Sequence, residues 1–556
     1  MVAPGDPERA AALAGAAGRV SHDGEAVYAA QALAAMEALA FVERDLENLF
    51  AAAARLIPSD CVILRMTREV REWSAADRDW EKTFARIQKS YGYDRYGGGC
   101  HTVPNHAVIV LALACGGDGF QESLRIANTA GWDTDCNSGN VGCLLGIKNG
   151  LAGLEAGPDW RGPVADQIFL PTADGGRCIT DAVRETYALC RAGRALAGES
   201  AAEPKDGARF HFELPGAVQG FRFEESPECR CVGTLWNTAG HSRGGQRSLA
   251  IGYAHLAPGR VARVATPTFI TPESAEMSAY ALLASPTLYP GQTLRARLEA
   301  GAQNQGQVLV LPFVRHYGEG DAKVFLRGPA ARLGPGQETM VSWRLPGTGG
   351  QPIFEVGVEV AGAGRADGSV YLDYLTWDGA PEVCWERPAG TGSCWQKAWV
   401  NAADRFWFGA PPREYQIAQN EGAGLAIQGT REWSDYTFHA TVLPHMTPAA
   451  GIAVCVQGLK RYLALLLTRG NRIQLVREYY GRTVLAEARF PWTFDKPVEL
   501  SLQTQGTHLR ATAGGKQIFE VHDETAGLAS GAVALLCEEG RCDFGSVKIA
   551  PAASRA

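Results

Sequence analysis

No two of the 14 cysteines are spaced as C-x-x-C, so neither a zinc-ribbon site nor a dithiol redox motif is written in the chain. Only Cys229-Arg230-Cys231 brings two close together, and the scattered remainder reads as reduced, packing cysteines. No apolar run reaches the roughly 20 residues that a membrane helix needs. Residues 1–10 lack a basic stretch followed by an apolar core and do not read as a secretory leader. With Met1 as the start of translation this points to the cytoplasm; a lost N-terminus would hide an export signal, so the compartment stays open. Positive charge is not in excess either: 53 basic residues against 60 acidic ones give a net charge of −7 and no footprint for nucleic acid. Two adjacent aspartates occur nowhere.

What is there is ordinary globular material, in a chain of 556 residues that is long enough for several domains with their own cores. Its most informative stretch is Gly131-Trp132-Asp133-Thr134-Asp135-Cys136-Asn137-Ser138-Gly139. Carboxylates two residues apart cannot share a helix face, because helix-surface neighbours lie three or four apart, so the pair belongs to a turn. Val141, Leu144, Leu145 and Ile147 then resume a helical rhythm, which puts the turn at a helix N-terminus. Two oxygen anions on such a turn suit a hard divalent cation. One aspartate capping the helix while the other closes an Asx turn accounts for the same spacing.

Ala130-Gly131-Trp132-Asp133-Thr134-Asp135, followed by Gly139, Gly142 and Gly146, resembles the second metal motif of the ADP-ribosylglycohydrolase family. Ser21-His22-Asp23-Gly24-Glu25-Ala26-Val27-Tyr28-Ala29-Ala30 is similar to the mid-domain helix start of its bacterial members. The resemblance covers roughly residues 6 to 195. It implies an all-α domain that uses two Mg²⁺ ions to cleave an N- or O-glycosidic bond at the anomeric carbon of ADP-ribose, in an ADP-ribosylated protein or a related small molecule. It further implies that Asp133 and Asp135 are catalytic metal ligands, with Asp135 as the bridge, and that His22, Asp23, Gly131 and Asn137 contact substrate.

Two departures qualify the resemblance. The hydroxyl ligand that the family carries after the second aspartate is here Cys136, a soft donor and a poor match to Mg²⁺, so that contact is lost or passes to water, Asn137 or Ser138. The family's first metal motif, Thr-Asp-Asp, should lie well before Ser21, yet only 20 residues precede it. The expectation is an incomplete domain holding half of a two-metal site, in a fragment or a product of an internal start.

Residues 6 to about 195 read as helices. Asp6-Pro7-Glu8 is a start signal, with a cap, a proline at the first helical position and an acid in the first turn. A second helix runs from Ser21 or Asp23 to about Glu43; others are expected at about 45–56, 60–72, 77–90, through the apolar run 106–113, and at 120–130 with Asp118 as cap. His101 and His106 lie five apart, not at the i, i+4 spacing of a helical metal pair, and read as structural. The glycines after the aspartate turn suggest close backbone approach to a helix or ligand.

After a small, polar linker at 199–207 the period changes from helical to alternating. Phe354, Val356, Val358 and Val360 share one face, and 293–299, 307–314 and 370–377 behave alike, so 208–380 reads as an antiparallel β-sandwich. Pro312 confines its strand to an edge or bulge. A loop at 381–412 leads to a second sandwich at 413–552, where Ala513-Gly514-Gly515-Lys516 turns a hairpin. The first sandwich looks like a galactose-binding module and the second resembles laminin-G and concanavalin-like jelly rolls. Trp236, Trp377, Trp433 and Trp492 are candidate sugar-stacking platforms or core residues, and Asp373 is a candidate Ca²⁺ ligand. The fold class is therefore multidomain: an incomplete all-α domain at 1–200 plus two antiparallel β-sandwiches. The functional expectation is a Mg²⁺-dependent hydrolase. A carbohydrate-binding protein with a vestigial catalytic domain is the alternative, and a glycosidase with its acids on a sandwich is a third reading.

Overall fold

The computed structural model describes residues 1–170, 172, 174–229, 233–277, 282–388, 390–524 and 527–553; Arg230 and Cys231 lie outside them. The chain forms two compact units, one of Met1–Val164 with Thr186–Ala202 and one of Ala165–Glu185 with Glu203–Ala556.

The first unit contains α1 (Pro7–Gly18), α2 (Gly24–Leu39), α3 (Leu46–Ala54), α4 (Val62–Asp77), α5 (Trp80–Tyr91), α6 (Thr102–Gly116), α7 (Phe120–Thr129) and α8 (Thr134–Glu155). Asp6 caps α1 by accepting from the Arg9 amide at 2.9 Å, and Asp79 caps α5 through the Glu81 and Lys82 amides. The apolar run is the central helix: every residue of α6 from Val103 to Leu113 is buried. Around it pack Met36, Leu49, Ile63, Leu64, Ile87, Val141 and Leu145, each worth about 1.5–3 kcal/mol of burial. No helix among the described residues is long and apolar enough to cross a membrane.

Several boundaries move. α2 stops at Leu39 because the Glu43 carboxylate accepts from the Arg44 and Asp45 amides and from Asn48, building the entry to α3. Asp118 does not cap α7. Gly119 holds that position, and Asp118 instead pairs with the buried Lys148 ammonium at 2.6 Å. The three glycines after the turn approach no other helix closely: added methyls at Gly139 and Gly146 would meet open space, and one at Gly142 only Leu124. Residues 165–185 leave the helical unit altogether. Gln167–Phe169 pairs with Ile179–Asp181, and Cys178 and Ile179 join Phe269, Ile270 and Tyr317 in an apolar cluster of the β unit.

The first sandwich has two sheets. In one, Ile353–Gly362 lies between Val308–Tyr317 and Val261–Pro267; in the other, Ala366–Asp378 lies between Thr293–Ala300 and Arg247–Leu256. Leu298, Val310, Val356, Val358 and Leu372 fill the space between them. Pro312 sits neither at an edge nor at a bulge. Its strand is internal, but Lys323–Arg327 and Ala331–Leu333 pair on either side of it, and the proline occupies the gap where no ladder donor is needed.

In the second sandwich 13 strands form one continuous sheet, threaded by the 20-residue strand Ala532–Pro551, which pairs with Tyr415–Gln428, Tyr436–Met446 and Ala449–Gly458. The expected loop at 381–412 contributes three short strands, Val383–Trp385, Val400–Ala402 and Arg405–Phe408. The hairpin turn at Gly514 and Gly515 is formed as expected, both glycines at positive φ, with Ala513 opposite Lys516. All 13 described cysteines are unpaired.

Candidate metal centre

The aspartate turn joins α7 to α8. Gly131 and Asp133 both adopt left-handed backbone, with φ of 77° and 43°, a conformation that Gly and Asp tolerate best. Asp135 falls in the first turn of α8, where its charge is favourable. The Asn137 amide closes the turn on the Asp133 carbonyl at 3.0 Å. Its side chain, 1% exposed, donates to the Trp132 carbonyl. Asn137 is thus a lock inside the turn.

Asp133 is oriented from α6. Asn105, buried in the first turn of that helix, donates to Asp133 Oδ2 at 2.7 Å and in turn accepts from the Tyr93 hydroxyl. Burial, reinforced by the Asp133 charge, raises the Tyr93 hydroxyl above its ordinary range, so it remains a donor. Trp132 packs against Phe84 and Tyr93 with centroids 4.9 and 5.1 Å apart, holding the turn against α5 and the segment after it.

One donor atom each from Asp133, Asp135 and Cys136 lies within 4.8 Å of the others. The expectation that the Cys136 contact is lost is therefore altered: the thiol is in the cluster. Burial first, then a hydrogen bond to Asp133 and the charges of both aspartates, push that thiol up to about 11. The two carboxylates suit a hard divalent ion; a protonated thiol does not complete a Mg²⁺ shell.

Residues 1–196 match the ADP-ribosylglycohydrolase family model. No curated protein matches the chain. Among solved structures, a carbohydrate-binding module, CBM66, from Bacillus subtilis is 14% identical, covering 27% of this chain and 94% of its own, with a TM-score of 0.25. The CBM22-1 xylan-binding domain from Paenibacillus barcinonensis Xyn10C is 11% identical, covering 32% and 96%, with a TM-score of 0.23. A Bacillus subtilis protein of unknown function with a galectin-like fold is 12% identical, covering 32% and 99%, with a TM-score of 0.26.

Within the ADP-ribosylglycohydrolase-like region the remaining candidates are placed as follows. His22 is exposed and bonds the Ser21 hydroxyl at 2.8 Å. Asp23 occupies the N-cap of α2 without a side-chain capping bond. No described hydrogen bond or ion pair joins either to Asp133 or Asp135. Gly131 is exposed on the turn itself. His101 caps α6 by accepting from the Val103 amide, and His106 is buried in its core. Asn105 and Tyr93 were not singled out by the sequence; an amide residue inside an apolar run was the available signal.

In the sandwiches, Trp377 and Trp433 are core residues, 7% and 1% exposed, so they offer no platform. Trp492 is half-buried, its indole donating to the Thr468 carbonyl. Trp236 is 41% exposed, with its ring edge over Gly252. Asp373 is no Ca²⁺ ligand: the buried Lys205 ammonium sits 2.7 Å from its carboxylate and fills the cation's place.

Proposed function

We propose that the helical region acts as a divalent-metal hydrolase domain on an ADP-ribosyl or related glycosidic bond, with Asp133 and Asp135 holding Mg²⁺. The observation that supports this reading is the pair of carboxylates at the start of α8, one of them fixed from behind by the buried Asn105–Tyr93 relay. When bound, the metal supplies polarisation and orientation of a sugar diol and a water. The chain's own residues do the positioning. Asn105 spends one oxygen of Asp133 and leaves the other for the cation, Asn137 holds the left-handed turn, and exposed Gly131 leaves room for close approach of a ribose.

Two carboxylates are a partial shell, and the Thr-Asp-Asp triplet is absent from this sequence. Turnover therefore calls for complementary donors from another polypeptide segment. The test is Mn²⁺ binding by electron paramagnetic resonance on the full chain. Asp135→Asn is expected to abolish it without changing the circular dichroism spectrum, and Cys136→Thr to tighten Mg²⁺ binding. Unchanged Mn²⁺ binding by the Asp135→Asn chain would remove the reading.

A further inference from the structure

We propose that the outer face of the first sandwich carries a cavity that binds a neutral saccharide unit. This site belongs to the β unit and does not rest on the metal reading. The cavity, about 330 Å³, lies between the sheet centred on Ile353–Gly362 and the short helix Pro272–Ala275, within the size range of small-molecule sites.

Its charged lining is balanced. Three cations, Arg222, Arg315 and Lys323, face three carboxylates, Glu224, Glu273 and Glu355. Arg315 bridges two of the acids, pairing with Glu224 and lying 2.6 Å from Glu355, and Lys323 pairs with Glu273 at 2.8 Å. A ligand with a net charge would meet a like charge beside every opposite one, and burying it would cost more than the pairing returns. A sugar hydroxyl is different: it accepts from a guanidinium and donates to a carboxylate at once, so alternating Arg and Glu edges match a row of hydroxyls. The side chains that present these edges are already held by one another: Arg315, Glu224 and Glu355 are 16%, 19% and 21% exposed. Little side-chain freedom is left to lose on binding. Ala265 and Pro267 add apolar surface beside the charged edges.

The experiment is calorimetric titration of the full chain with neutral xylo-, cello-, manno-, galacto- and fructo-oligosaccharides, with oligogalacturonide and chitosan oligomers as charged comparisons. At least one neutral series is expected to bind. Ser274→Trp, which plugs the cavity from the helix without replacing an ion-pair residue, and Glu355→Gln should each weaken that binding at least tenfold, while Trp236→Ala, on the other sheet, leaves it unchanged. The proposal is overturned if no neutral series binds or if only the charged oligomers bind. It is equally overturned if binding survives Ser274→Trp and is lost in Trp236→Ala, which would move the site to the exposed tryptophan.

Discussion

His106 is enclosed in α6, and its Nδ1 has no hydrogen-bond partner among the described residues. Burial alone holds its imidazole down at about 4, against about 6.5 for an ordinary histidine. The sign follows from proton counting. Below 6.5 the unfolded chain takes up a proton that the folded one refuses, so the stabilising difference is complete above about 6.5 and is lost as pH falls toward 4. The full loss amounts to about 3 kcal/mol. Hydrogen exchange of the α6 amides, corrected for intrinsic rates, should accelerate across that window, and His106→Leu should flatten the dependence; an unchanged slope in the variant would assign the acid sensitivity elsewhere. The sequence makes His106 legible as a core residue through its apolar neighbours. It does not make Asn105 legible as the group that orients Asp133, because no periodic signal links positions 28 apart.

Helix starts are readable where the cap is local, as at Asp6, and less sharply where it comes from elsewhere. α4, expected from 60, begins at Val62: Asp60 is close in sequence, but Glu25, on α2, is the acid that accepts from the Val62 and Ile63 amides, at 2.9 Å each. A carboxylate on two first-turn amides satisfies orphan donors and meets the positive end of the helix. Glu25→Ala is expected to destabilise the helical unit by about 1 kcal/mol, with the loss of exchange protection concentrated at the start of α4. Loss spread evenly over α2 would mean that Glu25 acts through its own helix. The same locality explains the three strands hidden in 381–412. Three- and four-residue strands such as Val383–Trp385 and Arg405–Phe408 are too short to show alternation, and only the partner strand Ala532–Pro551 or Tyr415–Gln428 defines them.

At the scale of the whole chain, the change from helical to alternating period separates an all-α region from two sandwiches, but periodicity cannot say which sheet a strand joins or where a polar stretch stops being a linker. Lys205 shows the second limit. It lies in a stretch that reads as solvated, yet its ammonium is buried within 2.7 Å of Asp373 and 3.2 Å of Glu213, and donates to the Arg247 and Asp373 carbonyls at 2.6 Å. Burial alone would raise the Asp373 carboxyl; the hydrogen bonds from Lys205, Ser242 and the Arg243 amide hold it below its usual range. Lys205→Met keeps most of the volume and strands two carboxylates, so denaturation of the β unit should show a loss of about 3–5 kcal/mol. Adding Asp373→Asn should return part of it, because the stranded charge and not the missing contact is the main cost. If the single variant is as stable as the parent, water or Arg297, 3.8 Å from Asp373, takes over the compensation, and the end of the expected linker is dispensable to the first sandwich.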